Sequence, residues 1–106
     1  MTRQGPSDPF ERRSDTLTVL MTSDMPGTTQ EAYDHLAVAL LPILKSTDGF
    51  IAHAAGPVDG GFRVTELWES EAAHDKWFTA HVAPTMPADA PPPNVTFRPI
   101  VNVVIA

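Results

Sequence analysis

Between Gly49 and Val82 the sequence GFIAHAAGPVDGGFRVTELWESEAAHDKWFTAHV reads as strand, tight turn, strand and helix with no spare residues, and it holds both tryptophans and three of the four histidines. Phe50 to Ala55 forms a strand with Phe50, Ala52 and Ala54 on one face and Ile51, His53 and Ala55 on the other. The connection Gly56 to Gly61 contains Asp59-Gly60-Gly61, which supplies the positive φ that a reversing hairpin needs. The next strand, Phe62 to Trp68, sets Phe62, Val64, Glu66 and Trp68 against Arg63, Thr65 and Leu67, with one polar side chain in each set. Ser70 caps a helix that runs to about Val82, where Pro84 stops it.

The rest of the chain is arranged around that stretch. Residues 1–14 carry Gly5, Pro6, Pro9 and alternating charges without an apolar period, so they read as a mobile arm with Phe10 as its one anchor. From Asp15 a strand begins, with Leu17, Val19 and Met21 on one face and Thr18, Leu20 and Thr22 on the other. Ser23 to Gly27 breaks it, and Thr28-x-x-Glu31 has the spacing of a helix-starting box. Tyr33, Leu36, Ala37, Leu40 and Leu44 then form an apolar stripe, and Pro42 predicts a bend or an early stop. Tyr33 is open to two roles, a half-buried packing residue or a pocket hydroxyl. His35 lies about 200° from it around the helix and is a poor candidate for the same site. Pro84 to Pro93 reads as a surface crossover that also serves as a lid, and Val95 to Ile105 as the last strand. That strand puts Arg98 and Asn102 on one face.

Composition excludes several classes of function. With 13 acidic against 7 basic side chains and a formal charge of −6, the chain repels phosphate backbones and anionic lipid, so neither nucleic acid nor membrane is an expected partner. The absence of cysteine removes thiol nucleophiles, thiolate metal sites and disulfides, in keeping with a cytoplasmic protein. No signal peptide or membrane-spanning run is legible. A metal reading of the helical stripe His74, Trp77, Phe78 and His81 fails on distance, because the two histidines sit two turns apart, roughly 10 Å.

The order β-α-β-β-α-β predicts one ferredoxin-like α+β domain over residues 15–106, an antiparallel sheet carrying both helices on one face. Its other face is left bare. Apolar residues on both parities of the strands would make that face a large patch, and a second copy laid sheet to sheet would cover it, giving a homodimeric α+β barrel.

The Gly49-Phe50-x-x-His53 start, the GPVDGGFRV hairpin, LWESEAAHDKWF, the HVAP helix ending and the late VTFRPIVNVV strand together resemble the antibiotic biosynthesis monooxygenase family of dimeric α+β barrels, over roughly Thr16 to Ile105. The resemblance implies a pocket between sheet and helices, and oxidation of a phenolic, polyketide-type aromatic by dioxygen with no metal or flavin cofactor. Some members of the family degrade haem, and Trp77 occupies the position of their helical tryptophan. The rest of that pattern departs here, with Leu20 near the place of its asparagine and Pro87 at that of its histidine.

Cofactor-free oxygenation needs a base or oxyanion partner to generate an electron-rich anion, and walls that exclude water. His53 is the first candidate for proton transfer, and Arg63 for steadying a phenolate, a part open to Arg98 as well. Trp77, Trp68, Tyr33 and Phe78 are candidates to sandwich a flat ring. His74, Arg98 and Asn102 complete the expected substrate contacts. Strand parity leaves open whether His53 faces the helices or a partner subunit. The same scaffold also suits a cyclase, decarboxylase or isomerase, or a binding protein without turnover.

Overall fold

The computed structural model describes residues 17–106, so the arm over residues 1–14 and the start of the first strand lie outside the described residues. The elements run β1 (Val19–Pro26), α1 (Gln30–Leu44), β2 (Phe50–Val58), β3 (Gly61–Trp68), α2 (Glu71–Trp77) and β4 (Asn94–Pro99). The sheet order is β2-β3-β1-β4 with every neighbouring pair antiparallel, the ferredoxin-like arrangement that the element order predicts. Val19 and Met21 of β1, Val64 and Trp68 of β3, Leu44 of α1 and Trp77 of α2 form the buried core between the sheet and the helices.

Several boundaries differ from the sequence expectation, each for a physical reason. β1 continues through Ser23, Asp24 and Met25 because it is central: β3 pairs with it as far as Pro26 and β4 as far as Asp24, which overrides the weak strand propensity of those residues. That extension brings Ser23 and Met25 onto the helix-facing side in register with Met21. Helix α1 is capped one residue later than its spacing suggests, with the Thr29 hydroxyl accepting from the Ala32 amide at 3.1 Å, while Thr28 belongs to the turn. It runs through Pro42 to Leu44 without an early stop, because Pro42 falls in the last turn and its side is exposed. Strand β4 ends at Pro99, well short of Ile105. The Ile100 amide makes a last bond to the Thr18 carbonyl at 2.8 Å, and the residues beyond it are not in a ladder.

Two glycines hold the central stretch together. Gly49, at φ +86°, hands its carbonyl to the Glu69 amide, and a Cβ there would come within 2.7 Å of the Ala73 side chain on α2. Gly61 lies so close against the Met25 carbonyl that a side chain has no room. Between β2 and β3 the turn is only Asp59-Gly60, which fixes the register from Val58 opposite Gly61 back to Ala52 opposite Leu67. Phe50 then pairs with Trp68, leaving Ile51 as an extra residue. The bulge turns Phe50 onto the face that His53 also occupies, where simple alternation separates them, and Phe50 meets Trp68 edge to face at 5.6 Å.

Candidate functional site

A cavity of about 210 Å³ lies between the sheet and the helices. Its floor is Met21, Ser23, Met25, Val64 and Glu66, and α1 supplies Tyr33, Leu36, Ala37 and Leu40. His74, Trp77, Phe78 and Val82 form the opposite wall. After Trp77 the helix widens into a π turn over Phe78–Val82, in which the Ala83 amide reaches back to the Phe78 carbonyl. Turns of this kind are frequent at functional sites, and here the turn sets Phe78 and Val82 against the cavity. Met86, Pro87, Ala90, Pro91 and Pro93 from the proline-rich crossover wall the remaining side, where the sequence suggests a lid.

The walls are apolar apart from a few groups, and three of those are joined in one chain. The Tyr33 hydroxyl lies 2.6 Å from His53 Nε2, and His53 Nδ1 lies 2.7 Å from Glu66 Oε2. The other oxygen of that carboxylate, Oε1, accepts from Trp68 Nε1 at 2.8 Å. Hairpin register creates the first half of the arrangement, since His53 stands directly opposite Glu66. The α1 stripe creates the second half by laying Tyr33 over the hairpin, its ring stacked on Phe62 at 4.8 Å. Glu66 is only 5% exposed and Trp68 fully buried, so the carboxylate and the indole N–H are matched inside the fold rather than by solvent. Burial, followed by the Glu66 and Asp34 charges, pushes the Tyr33 phenol above its ordinary range.

Of the residues singled out in the sequence, His53, Tyr33, His74, Trp77 and Phe78 line this cavity. The ring of Tyr33 packs on Phe62, and its hydroxyl reaches the cavity bonded to His53. His53 faces the helices. His74 is buried among aromatic rings, edge-on to Phe97 at 5.0 Å and stacked near Phe78 at 6.0 Å, with Nδ1 3.1 Å from Asp75 Oδ1. Trp68 is not a wall residue but lies beneath the cavity as core, with its indole N–H committed to Glu66. Arg63 points to the opposite face of the sheet, where it grips Asp24 at 2.6 and 3.2 Å. Arg98 and Asn102 are exposed and away from the cavity, Asn102 beyond the end of β4. Among the described residues no three His, Asp or Glu side chains are grouped to hold a metal ion.

Glu66 is the site residue that the sequence reading passed over. Two signals identify it: a carboxylate alternating with Phe62, Val64 and Trp68 on a face bound for the core, and a two-residue turn that counts it opposite His53. A buried carboxylate requires partners, and the count names one of them.

No family model matches the chain, and no curated protein matches it by sequence. Solved structures match its fold. A monooxygenase from the gene ActVA-Orf6 of Streptomyces coelicolor, in complex with the ligand nanaomycin D, is 20% identical with a TM-score of 0.53, over 93% of this chain and 99% of that one. SnoaB, a cofactor-independent oxygenase from Streptomyces nogalater, is 8% identical with a TM-score of 0.58, over 84% and 97% of the two chains. A Caulobacter crescentus protein described as a candidate antibiotic biosynthesis monooxygenase is 17% identical with a TM-score of 0.60, over 90% and 100%. At these identities the likeness is one of fold: the chain has the ferredoxin-like α+β fold of antibiotic biosynthesis monooxygenase-like proteins.

Proposed function

We propose that the protein is a cofactor-independent oxygenase acting on an aromatic, phenolic small molecule of the polyketide type in secondary metabolism. The observation that supports this most is the Tyr33–His53–Glu66 chain opening on an otherwise apolar, aromatic-walled cavity. Such a cavity takes up a flat ring by burying it beside Trp77 and Phe78, and the chain offers the ring's acidic proton a destination. The resulting carbanion or phenolate delivers electrons to dioxygen. For an anthrone-type CH2 carbon, one dioxygen yields a ring carbonyl and one water, with all the electrons drawn from the substrate and no external reductant. Apolar walls keep bulk water from the anion while it reacts. The fold neighbours that are oxygenases, SnoaB and the ActVA-Orf6 monooxygenase, support the same reading.

The test is to incubate purified, chelator-treated protein with an anthrone-like phenol in the presence and absence of dioxygen, following oxygen uptake and product mass. Oxygen-dependent formation of the quinone is expected. A second reading, a cyclase, decarboxylase or isomerase, is favoured by the same proton chain, which serves a tautomerisation equally well; product formed without oxygen would establish it. Binding without turnover, seen as quenched tryptophan fluorescence and no product, would make the protein a carrier. His53→Ala is expected to slow the reaction by about 10²–10⁴-fold, and a full rate in that variant would remove His53 from the chemistry.

The protein acts as a homodimer in this reading. Leu20 and Leu67 with Ala52 and Ala54 lie on the sheet face that carries no helix, and Val101, Val104 and Ile105 project exposed beyond β4. A second copy would cover both. Sedimentation equilibrium giving the mass of a single chain at micromolar concentration would overturn this assembly.

A further inference from the structure

Both nitrogens of His53 are already engaged, Nδ1 by Glu66 and Nε2 by Tyr33, so the imidazole has no free atom to offer a ligand. The direction of the bonds follows from donors that have no alternative. Trp68 Nε1 can only donate, which makes Glu66 Oε1 an acceptor. As a carboxylate, Glu66 accepts at its second oxygen as well, so the ring proton of a neutral His53 sits on Nδ1 and Nε2 presents a lone pair. Tyr33 holds its proton, because burial disfavours the phenolate, and that proton points along the 2.6 Å contact to Nε2. What remains of the Tyr33 hydroxyl is a pair of acceptor sites on Oη at the cavity wall.

We propose that Tyr33, rather than His53, is the residue that meets the substrate, and that the Trp68–Glu66–His53 chain fixes its oxygen as an acceptor, so that the site selects ligands bearing an O–H, a phenol or enol, over the matching ether or ketone. The inference deepens the aromatic-substrate reading above and rests on it. It also orders the proton transfer: the substrate proton passes to Tyr33 Oη as the Tyr33 proton passes to His53 Nε2. The substrate is left as the oxyanion and the charge on the ring is held against Glu66. Glu66 and Trp68 are positioning residues in this scheme, since neither bonds the ligand.

The experiment is calorimetric titration at pH 8 with three probes of nearly the same size: 1-naphthol, 1-methoxynaphthalene and 1-tetralone. The wild-type protein is expected to bind 1-naphthol at least tenfold more tightly than either of the others. Tyr33→Phe is expected to bring the three within about twofold while retaining binding. Glu66→Gln provides a readout that a merely structural role would not move. Trp68 still demands the oxygen of the new amide, the amide NH2 then faces His53 Nδ1, the ring tautomer reverses, and Tyr33 turns its O–H into the cavity. The preference should shift from 1-naphthol toward 1-tetralone.

Equal affinity of the wild-type protein for all three probes would overturn the selection of O–H donors while leaving an aromatic cavity in place. Failure to bind any of them would overturn the aromatic-substrate reading itself. A Glu66→Gln protein that melts cooperatively and keeps the full 1-naphthol preference would overturn the part assigned to Glu66. The wild-type comparison needs no variant and decides the question even if both variants fold poorly.

Discussion

Glu66 and Arg63 stand three residues apart on β3, and because that separation is odd they project from opposite faces of the sheet. Each holds a charged or ionisable partner on a neighbouring strand at nearly the same distance, Glu66 with His53 at 2.7 Å and Arg63 with Asp24 at 2.6 Å. What differs is the solvent: the His53 and Glu66 side chains are 15% and 6% exposed, the Arg63 and Asp24 side chains 50% and 36%. On the helix-free face of the single chain water competes for both partners and salt screens them, so the contact there does little beyond orienting two side chains. Under the helices nothing replaces a lost partner, and each deletion leaves an unmatched buried group. Contact length therefore does not rank these pairs; burial does.

The sharpest way to break that comparison is through the residue beneath the buried chain. Trp68→Ala removes a fully buried indole and the donor to Glu66 Oε1, and is expected to cost about 3–5 kcal/mol of unfolding free energy in guanidinium titration. Arg63→Ala in the same titration should leave the midpoint almost unmoved. Equal losses in the two variants would mean that a partner subunit buries the Arg63–Asp24 end of the helix-free face along with its Leu20–Leu67 centre, so that the two faces of β3 do not differ in burial there.

The fold was legible where local signals agree. The Asp-Gly hairpin, the Ser70 cap and the period-two strands predict the same element order and the same sheet, and together they fix the position of Glu66 opposite His53. Boundaries were lost where long-range pairing overrules local preference. Ser23 to Met25 read as a break, but two neighbouring strands draw the segment into the ladder. Val101 to Ile105 read as strand, but among the described residues the pairing with the first strand ends at the bond from the Ile100 amide to the Thr18 carbonyl. The site was half legible for a related reason. Periodicity put Tyr33, Trp77 and Phe78 on inward stripes, while His53 stayed ambiguous because the bulge at Ile51 mixes the parities of its strand. Arginine attracts attention as an oxyanion partner wherever it stands, yet the face of Arg63 follows from its alternation with Val64, and that face carries no helix.

A smaller effect sharpens the account of the buried side. The chain has a single tyrosine, so phenolate absorbance reports Tyr33 alone. With burial first and the Glu66 charge second, the folded phenol should titrate at higher pH than the same chain unfolded in guanidinium, which should titrate at an ordinary value of about 10. The sign for stability follows. A raised folded value contributes stability that is fully present below the ordinary value and is lost as pH rises through the folded one. Coincident folded and unfolded curves would place the Tyr33 hydroxyl in open solvent and separate it from the His53 chain.

The smallest effect belongs to the open face. The hydrogen bond from Arg63, before its charge, holds the Asp24 carboxyl below its ordinary range, so the pair's contribution is present above that range and is lost as pH falls through the lowered folded value. Asp24→Asn should thus lower the melting temperature only slightly at pH 7. That difference should narrow on acidification toward pH 3 and vanish in about 1 M salt, where the screening length is near 3 Å. His53→Ala, melted in the same buffers, should keep its deficit at high salt, because the group it strands is shielded from the ions. If salt erased both deficits alike, the His53–Glu66 contact would be as wet as its counterpart across the sheet, and the directed bonding drawn from it would lose its basis.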